Sequence, residues 1–117
     1  MAQYGPRDVA QRWTSKLSDA GWTPVSDVFL KHYGEMDPPI TTPEAMVIIQ
    51  LMVNKWDANP PYPGFKGIAK RMGITDTAVR THVRRLERKL YLKRIPRPGN
   101  TNEFDLQPLF AALEKLV

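Results

Sequence analysis

Residues 62–94 read YPGFKGIAKRMGITDTAVRTHVRRLERKLYLKR. Their spacing predicts two short helices joined by a tight turn. The first covers Phe65 to Met72. Gly73 ends it, because a residue without Cβ takes a positive φ at no steric cost. Ile74 plugs the turn. Thr75 caps the second helix, its hydroxyl accepting from an otherwise unpaired backbone N–H. On that helix Val79, Val83, Leu86 and Leu90 recur at the spacing of one buried face. Ala69 is small where the two helices must cross closely.

This is a helix-turn-helix pattern, in which the second helix lies in the major groove of DNA. The charge agrees. Eleven Lys and Arg fall between Lys66 and Arg97, opposed only by Asp76 and Glu87, so this segment carries +9 while the rest of the chain carries −4. A localised positive field is the footprint of a phosphate-binding surface. A basic run by itself is usually a solvated helix face. Here it coincides with the recognition-helix pattern, which favours double-stranded DNA as the partner.

At 117 residues the chain is expected to form one domain with a modest core. It has no cysteine, which leaves no thiol nucleophile, thiolate metal site or disulfide framework and fits a reducing cytoplasm. No apolar run approaches the ~20 residues of a membrane span, and no apolar leader is visible at the N-terminus. The expected location is cytoplasmic, with the nucleoid. Neither paired histidines nor a glycine-rich phosphate loop nor clustered carboxylates occur, so the expectation is no enzyme, no metal, no cofactor and no small-molecule ligand. RNA binding is the weaker nucleic-acid alternative, since few aromatics stand ready to stack on bases.

Around the basic segment the elements read as follows. Asp8 to Ala20 predicts one helix with Val9, Trp13 and Leu17 on a common face, ended by Gly21; that face is expected to pack on the core, with self-association as the alternative. Residues 22–25 are extended. Ser26 or Asp27 caps a short helix through Tyr33, and 34–40 form a loop. Thr41 to Trp56 predicts the central core helix, apolar on nearly all sides, with Met46 and Met52 as core fillers. Its cap is either Thr41, in a capping box with Glu44, or Thr42 followed by Pro43. Residues 57–63 connect it to the basic pair, where Gly64 serves as the N-cap. After Leu90 the period changes to two: Leu92 and Arg94 fall on one face of a strand, and Tyr91, Lys93 and Ile95 on the other. Residues 96–100 turn and 101–106 return, and Pro108 opens a last helix. The expected core is Ile48, Leu51, Met52, Ile68, Val79, Val83 and Leu86, in a mainly α fold with a small β-hairpin.

The segments GWTPV (21–25), YPGFKGIAKRMGIT (62–75), TAVRTHVRRLERKLYLKR (77–94) and NEFDLQPLFAAL (102–113), with the core helix between them, resemble bacterial winged helix-turn-helix domains. The likeness is greatest to plasmid and phage replication initiators, replisome organisers and related small regulators. It implies a winged domain over 21–117, preceded by an N-terminal helical extension over 1–20. It also implies a role in replication initiation, with transcription regulation and a protein-interaction winged helix as alternatives, and further domains beyond this chain if the role is replication. Such domains usually carry serine where Gly64 stands and glycine where Leu90 stands. The second change predicts a helix that runs on longer and a wing leaving it at a different angle.

On this reading the recognition helix spans 75–90 and the wing 91–106. Asp76, Thr77, Arg80, Thr81 and Arg84 are the candidate base readers. Arg80 and Arg84 are suited to pairing bidentately with guanine. Asp76 either accepts from a cytosine amino group or caps its own helix. Lys66, Lys70, Arg71, Thr75 and Arg85 are placed for phosphates, with Arg85 and Arg88 toward the flank. Arg94, Arg97 and Asn100 are the wing candidates for the flanking backbone. His82 is expected to be half-buried packing. A single such domain covers a short site, so specific binding is expected either as a homodimer, through the 8–20 helix and the C-terminal helix, or within a larger protein.

Overall fold

The structure is a computed structural model, which describes residues 6–53, 64–99 and 102–117. Among these the chain is mainly helical, with one antiparallel two-stranded hairpin. The order is α1 (Pro6–Arg12), α2 (Ser15–Asp19), α3 (Asp27–His32), a 3-10 turn (Tyr33–Glu35), α4 (Thr42–Met52), α5 (Phe65–Met72), α6 (Asp76–Arg88), β1 (Lys93–Ile95), β2 (Glu103–Asp105) and α7 (Gln107–Glu114). No helix among the described residues is long and apolar enough to cross a membrane. The end of the expected core helix at Trp56, the connection 57–63 and Asn100 lie outside the described residues.

The core forms where the periodicity of α4, α5 and α6 puts it. Ile48, Leu51, Ile68, Val79, Val83 and Leu86 are each 2% exposed or less. Burial of each such side chain contributes about 1.5–3 kcal/mol. Met52 packs on this cluster from its edge, and Met46 is 41% exposed, so the two methionines are not both core fillers. Position 46 falls on the outward stripe of a helix that has one after all. The hairpin closes over the other side. Phe104 is buried and stacks on Phe65 of α5, with ring centroids 5.6 Å apart.

The predicted Asp8–Ala20 helix is two helices. Thr14 is extended and caps α2, its hydroxyl accepting from Leu17 N at 3.1 Å, which breaks the run after Arg12. As a result Trp13 and Leu17 do not reach the core. They are 71% and 54% exposed.

Two tight corners frame α6. At the first, Gly73 has φ 68°, and Ile74 N donates to Ala69 O at 3.0 Å. At the second, Leu90 adopts φ 65°. Tyr91 N donates to Leu86 O and Leu90 N to Glu87 O, the paired bonds of a Schellman motif. So α6 does not run on through Leu90, and Leu90 does not extend the buried stripe. It is 78% exposed. The reason lies in the next two residues. The sharp turn drops both Tyr91 and Leu92 into the core, at 5% and 3% exposure. That burial is worth several times the ~1–2 kcal/mol that a left-handed leucine costs. It also corrects the face assignment of Tyr91, since the period of two begins only at Lys93.

The two corners predict opposite responses. Leu90→Gly should raise stability by about 1 kcal/mol, because it relieves the strain and gives up little buried surface. Gly73→Ala should lower stability by about 1 kcal/mol. A Cβ there meets nothing within 4 Å, so only the conformation is penalised. Urea unfolding of both variants checks the pair. A Leu90→Gly midpoint below that of the parent would contradict the corner described.

Candidate nucleic-acid interface

Ten of the eleven basic residues between Lys66 and Arg97, all but Lys93 on β1, sort into two groups by what stands beside them. Three are held by acids. Lys89 Nζ donates to Glu44 Oε1 at 2.6 Å and to Pro39 O at 2.9 Å. Arg94 Nη2 donates to Glu87 Oε1 at 2.7 Å, and Arg97 Nε lies 3.5 Å from Glu103 Oε1. The other group is Lys66, Lys70 and Arg71 on α5 with Arg80, Arg84, Arg85 and Arg88 on α6. All seven are exposed, and no acid among the described residues forms an ion pair with any of them.

The helix repeat places the α6 members. At about 100° per residue, Arg80, Arg84, Thr77, Arg88 and Arg85 follow one another around about 140° of the circumference, turned away from Val79 and Leu86. Thr77, Arg84 and Arg88 occupy its middle. Arg88 therefore belongs to the outward face, and the flank assigned to it from sequence is corrected. Arg80 and Arg85 mark the two edges.

The remaining sequence candidates are placed differently. Thr75 is the N-cap, and its hydroxyl already accepts from Ala78 N at 3.1 Å. The cap of α6 is therefore not Asp76. That residue sits half-buried in the first turn, where its charge suits the helix dipole. Thr81 is half-buried, and its hydroxyl donates to Thr77 O at 3.0 Å, leaving it only acceptor capacity for a base edge. His82 is half-buried as expected, and its Nδ1 has no hydrogen-bond partner among the described residues. Arg94 is opposite Phe104 in the hairpin, so it lies on the packed side of the strand. Its side chain is 36% exposed and held by Glu87.

The electrostatic feature that sequence reasoning missed is Glu44. Thr41 caps α4 in a reciprocal box: Thr41 N donates to Glu44 Oε1 at 2.8 Å, and Glu44 N to Thr41 Oγ1 at 3.3 Å. The same carboxylate is fully buried and meets Lys89. Burial pushes its pKa up, but the Lys89 ammonium and the Thr41 donors together outweigh that and leave it below the ordinary value. Nearby, burial and the Asp37 charge raise the pKa of Tyr91, whose hydroxyl donates to Pro38 O.

Glu87 and Lys89 leave α6 on opposite sides, each about 80° from the Val79 line. One ties the helix to β1 and the other to α4. The outward face of α6 is thus left cationic, while its flanks are neutralised. A helix face rich in guanidinium groups that no described acid holds is suited to a polyanion. The chain matches no protein-family model, no curated protein and no solved structure.

Proposed function

We propose that this chain is a sequence-specific double-stranded DNA-binding protein of the winged helix-turn-helix type. α6 is the recognition helix in the major groove, and α5 crosses the phosphate backbone. The observation that carries the reading is the row of seven exposed cations on α5 and α6 with no acidic partner among the described residues. A merely solvated face on a domain with twelve acids would be expected to intersperse them. Here the three acids Glu44, Glu87 and Glu103 hold Lys89, Arg94 and Arg97 and none of the seven.

The test is titration of a random-sequence duplex at several salt concentrations. Full engagement of all seven cations corresponds to a slope of log K against log salt of about −6, and partial engagement to about −4. Absence of salt-dependent binding would remove the DNA reading. The replication role comes from the resemblance to plasmid and phage initiators. A transcription regulator would hold DNA in the same way, and selection of the preferred site from a random pool, followed by its location relative to an origin or a promoter, separates the two.

Specific binding is proposed to use two copies, since one recognition helix covers only a half-site. Trp13, between α1 and α2, is exposed together with Leu17 on one side and Leu30 on the other, Leu30 being 50% exposed, which is apolar surface suited to a second copy. Sedimentation at tens of micromolar should show a dimer for the parent and a monomer for Trp13→Asp. A parent that stays monomeric with and without DNA contradicts the dimer.

A further inference from the structure

The strands of the hairpin and the residues flanking them carry three cations, Lys93, Arg94 and Arg97, where a wing would be expected to use positive charge. Arg94 and Arg97 are ion-paired with acids, and Lys93, which is exposed, stands across the hairpin from Asp105, whose Oδ1 accepts from Gln107 N at 2.9 Å. Arg94 holds Glu87 at 2.7 Å, and Arg97 stands 3.5 Å from Glu103. Three cations against Glu87, Glu103 and Asp105 leave no net charge. At Arg94 and Arg97 a phosphate would have to displace a carboxylate already in place. For Arg94 it would also have to draw the side chain off the packed side of the sheet, where its cross-strand neighbour Phe104 is 1% exposed.

We propose that the strands of this wing are not a DNA-binding arm but a brace for the recognition helix, with Arg94 as a positioning residue that acts on base recognition through Glu87. The DNA half of this inference rests on the reading above, whereas the brace stands without DNA. The geometry gives the brace its consequence. Glu87 on one flank of α6 and Lys89 on the other hold the helix against rotation about its own axis. A rotation of about 10° moves a side-chain tip by about 1 Å. That is enough to spoil a bidentate hydrogen-bonded pair, while a phosphate contact, less demanding in direction, survives it. Loss of Arg94 should therefore weaken the preferred site more than random DNA. It should leave the number of displaced counterions unchanged.

The experiment compares the parent, Arg94→Ala, Arg97→Ala and the charge swap Glu87→Arg/Arg94→Glu, with Lys70→Ala as the phosphate-contact control. Each is titrated on the selected site and on random duplex at several salt concentrations. Hydrogen exchange of the last-turn amides of α6 is followed without DNA. Arg94→Ala should keep the salt slope within about 0.3 of the parent, whereas Lys70→Ala should reduce it by about one. It should weaken the selected site roughly fivefold more than random DNA and speed exchange in α6 roughly tenfold. The charge swap should recover both properties. A slope reduced by about one unit in Arg94→Ala or Arg97→Ala would identify a phosphate ligand and overturn the proposal. Unchanged exchange in Arg94→Ala would overturn the brace by itself. If the parent binds no DNA, the DNA-binding reading falls, and exchange alone decides whether the brace exists.

Discussion

Glu44→Ala is expected to lower stability by about 3 kcal/mol. Two losses combine in it. The capping box of α4 disappears, which is worth about 1 kcal/mol. The Lys89 ammonium, on a side chain only 21% exposed, keeps Pro39 O but loses its counter-charge. Breaking a buried pair from one side typically costs about 3–5 kcal/mol, and the lower end applies because the Lys89 side chain is only partly buried. The pair also fixes the acid limb of stability. The folded pKa of Glu44 is depressed below its ordinary 4.5. Its contribution is therefore complete above that value and is lost as the pH falls from about 4.5 through the folded value. Glu44→Ala should remove this part of the acid dependence. Lys89→Met should destabilise for the mirror reason, a buried carboxylate without a cation, and should raise the pKa of Glu44. Replacing both partners with apolar residues should cost far less than the two single changes added together. Urea unfolding between pH 3 and 7 reads all of these. A Glu44→Ala loss below about 1 kcal/mol, with an unaltered acid limb, would mean that the pair is solvated and carries little.

What the sequence made legible is local. The turn at Gly73, the cap at Thr75 and the buried line Val79–Val83–Leu86 depend on neighbours within four residues, and periodicity reports such neighbours directly. The misplaced features depend on partners far along the chain. Glu44 was visible as a capping residue, but its burial follows from Lys89, 45 residues later. Leu90 matched the helical spacing. Its left-handed turn was decided by what Tyr91 and Leu92 gain in the core, a tertiary gain that outweighs a local preference. The break at Thr14 is the exception, since its cap is local: a threonine followed by Ser15 offered the cap, but the apolar spacing of Val9, Trp13 and Leu17 masked it. The candidate interface divides the same way. The sign of each basic side chain was plain from sequence. Whether an acid already held it was set by the packing of α4 and β1 against α6 for Lys89 and Arg94, and by the closing of the hairpin for Arg97.

On the proposed reading, Arg80→Ala should weaken the preferred DNA site by about 1–3 kcal/mol and random DNA much less. Arg80 is exposed, one turn into α6, at the edge of the outward face. Its guanidinium is suited to paired hydrogen bonds with guanine O6 and N7, and only the correct base supplies both acceptors in the right geometry. Lys70 lies on α5, the element placed across the backbone, and it is exposed without an ion-pair partner among the described residues. Lys70→Ala should weaken both kinds of DNA alike and reduce the slope of log K against log salt by about one unit, because one fewer counterion is released. Neither substitution removes buried surface, so both proteins should unfold within about 0.5 kcal/mol of the parent, and a binding change can be read as a contact change. One titration series per variant, on the selected and random duplexes at several salt concentrations, separates the two roles. Equal losses on both duplexes for Arg80→Ala would make Arg80 another phosphate contact and rotate the assigned face of α6. If neither substitution alters binding at any salt concentration, the cations of α5 and α6 are a solvated surface, and a protein-interaction role has to replace DNA binding.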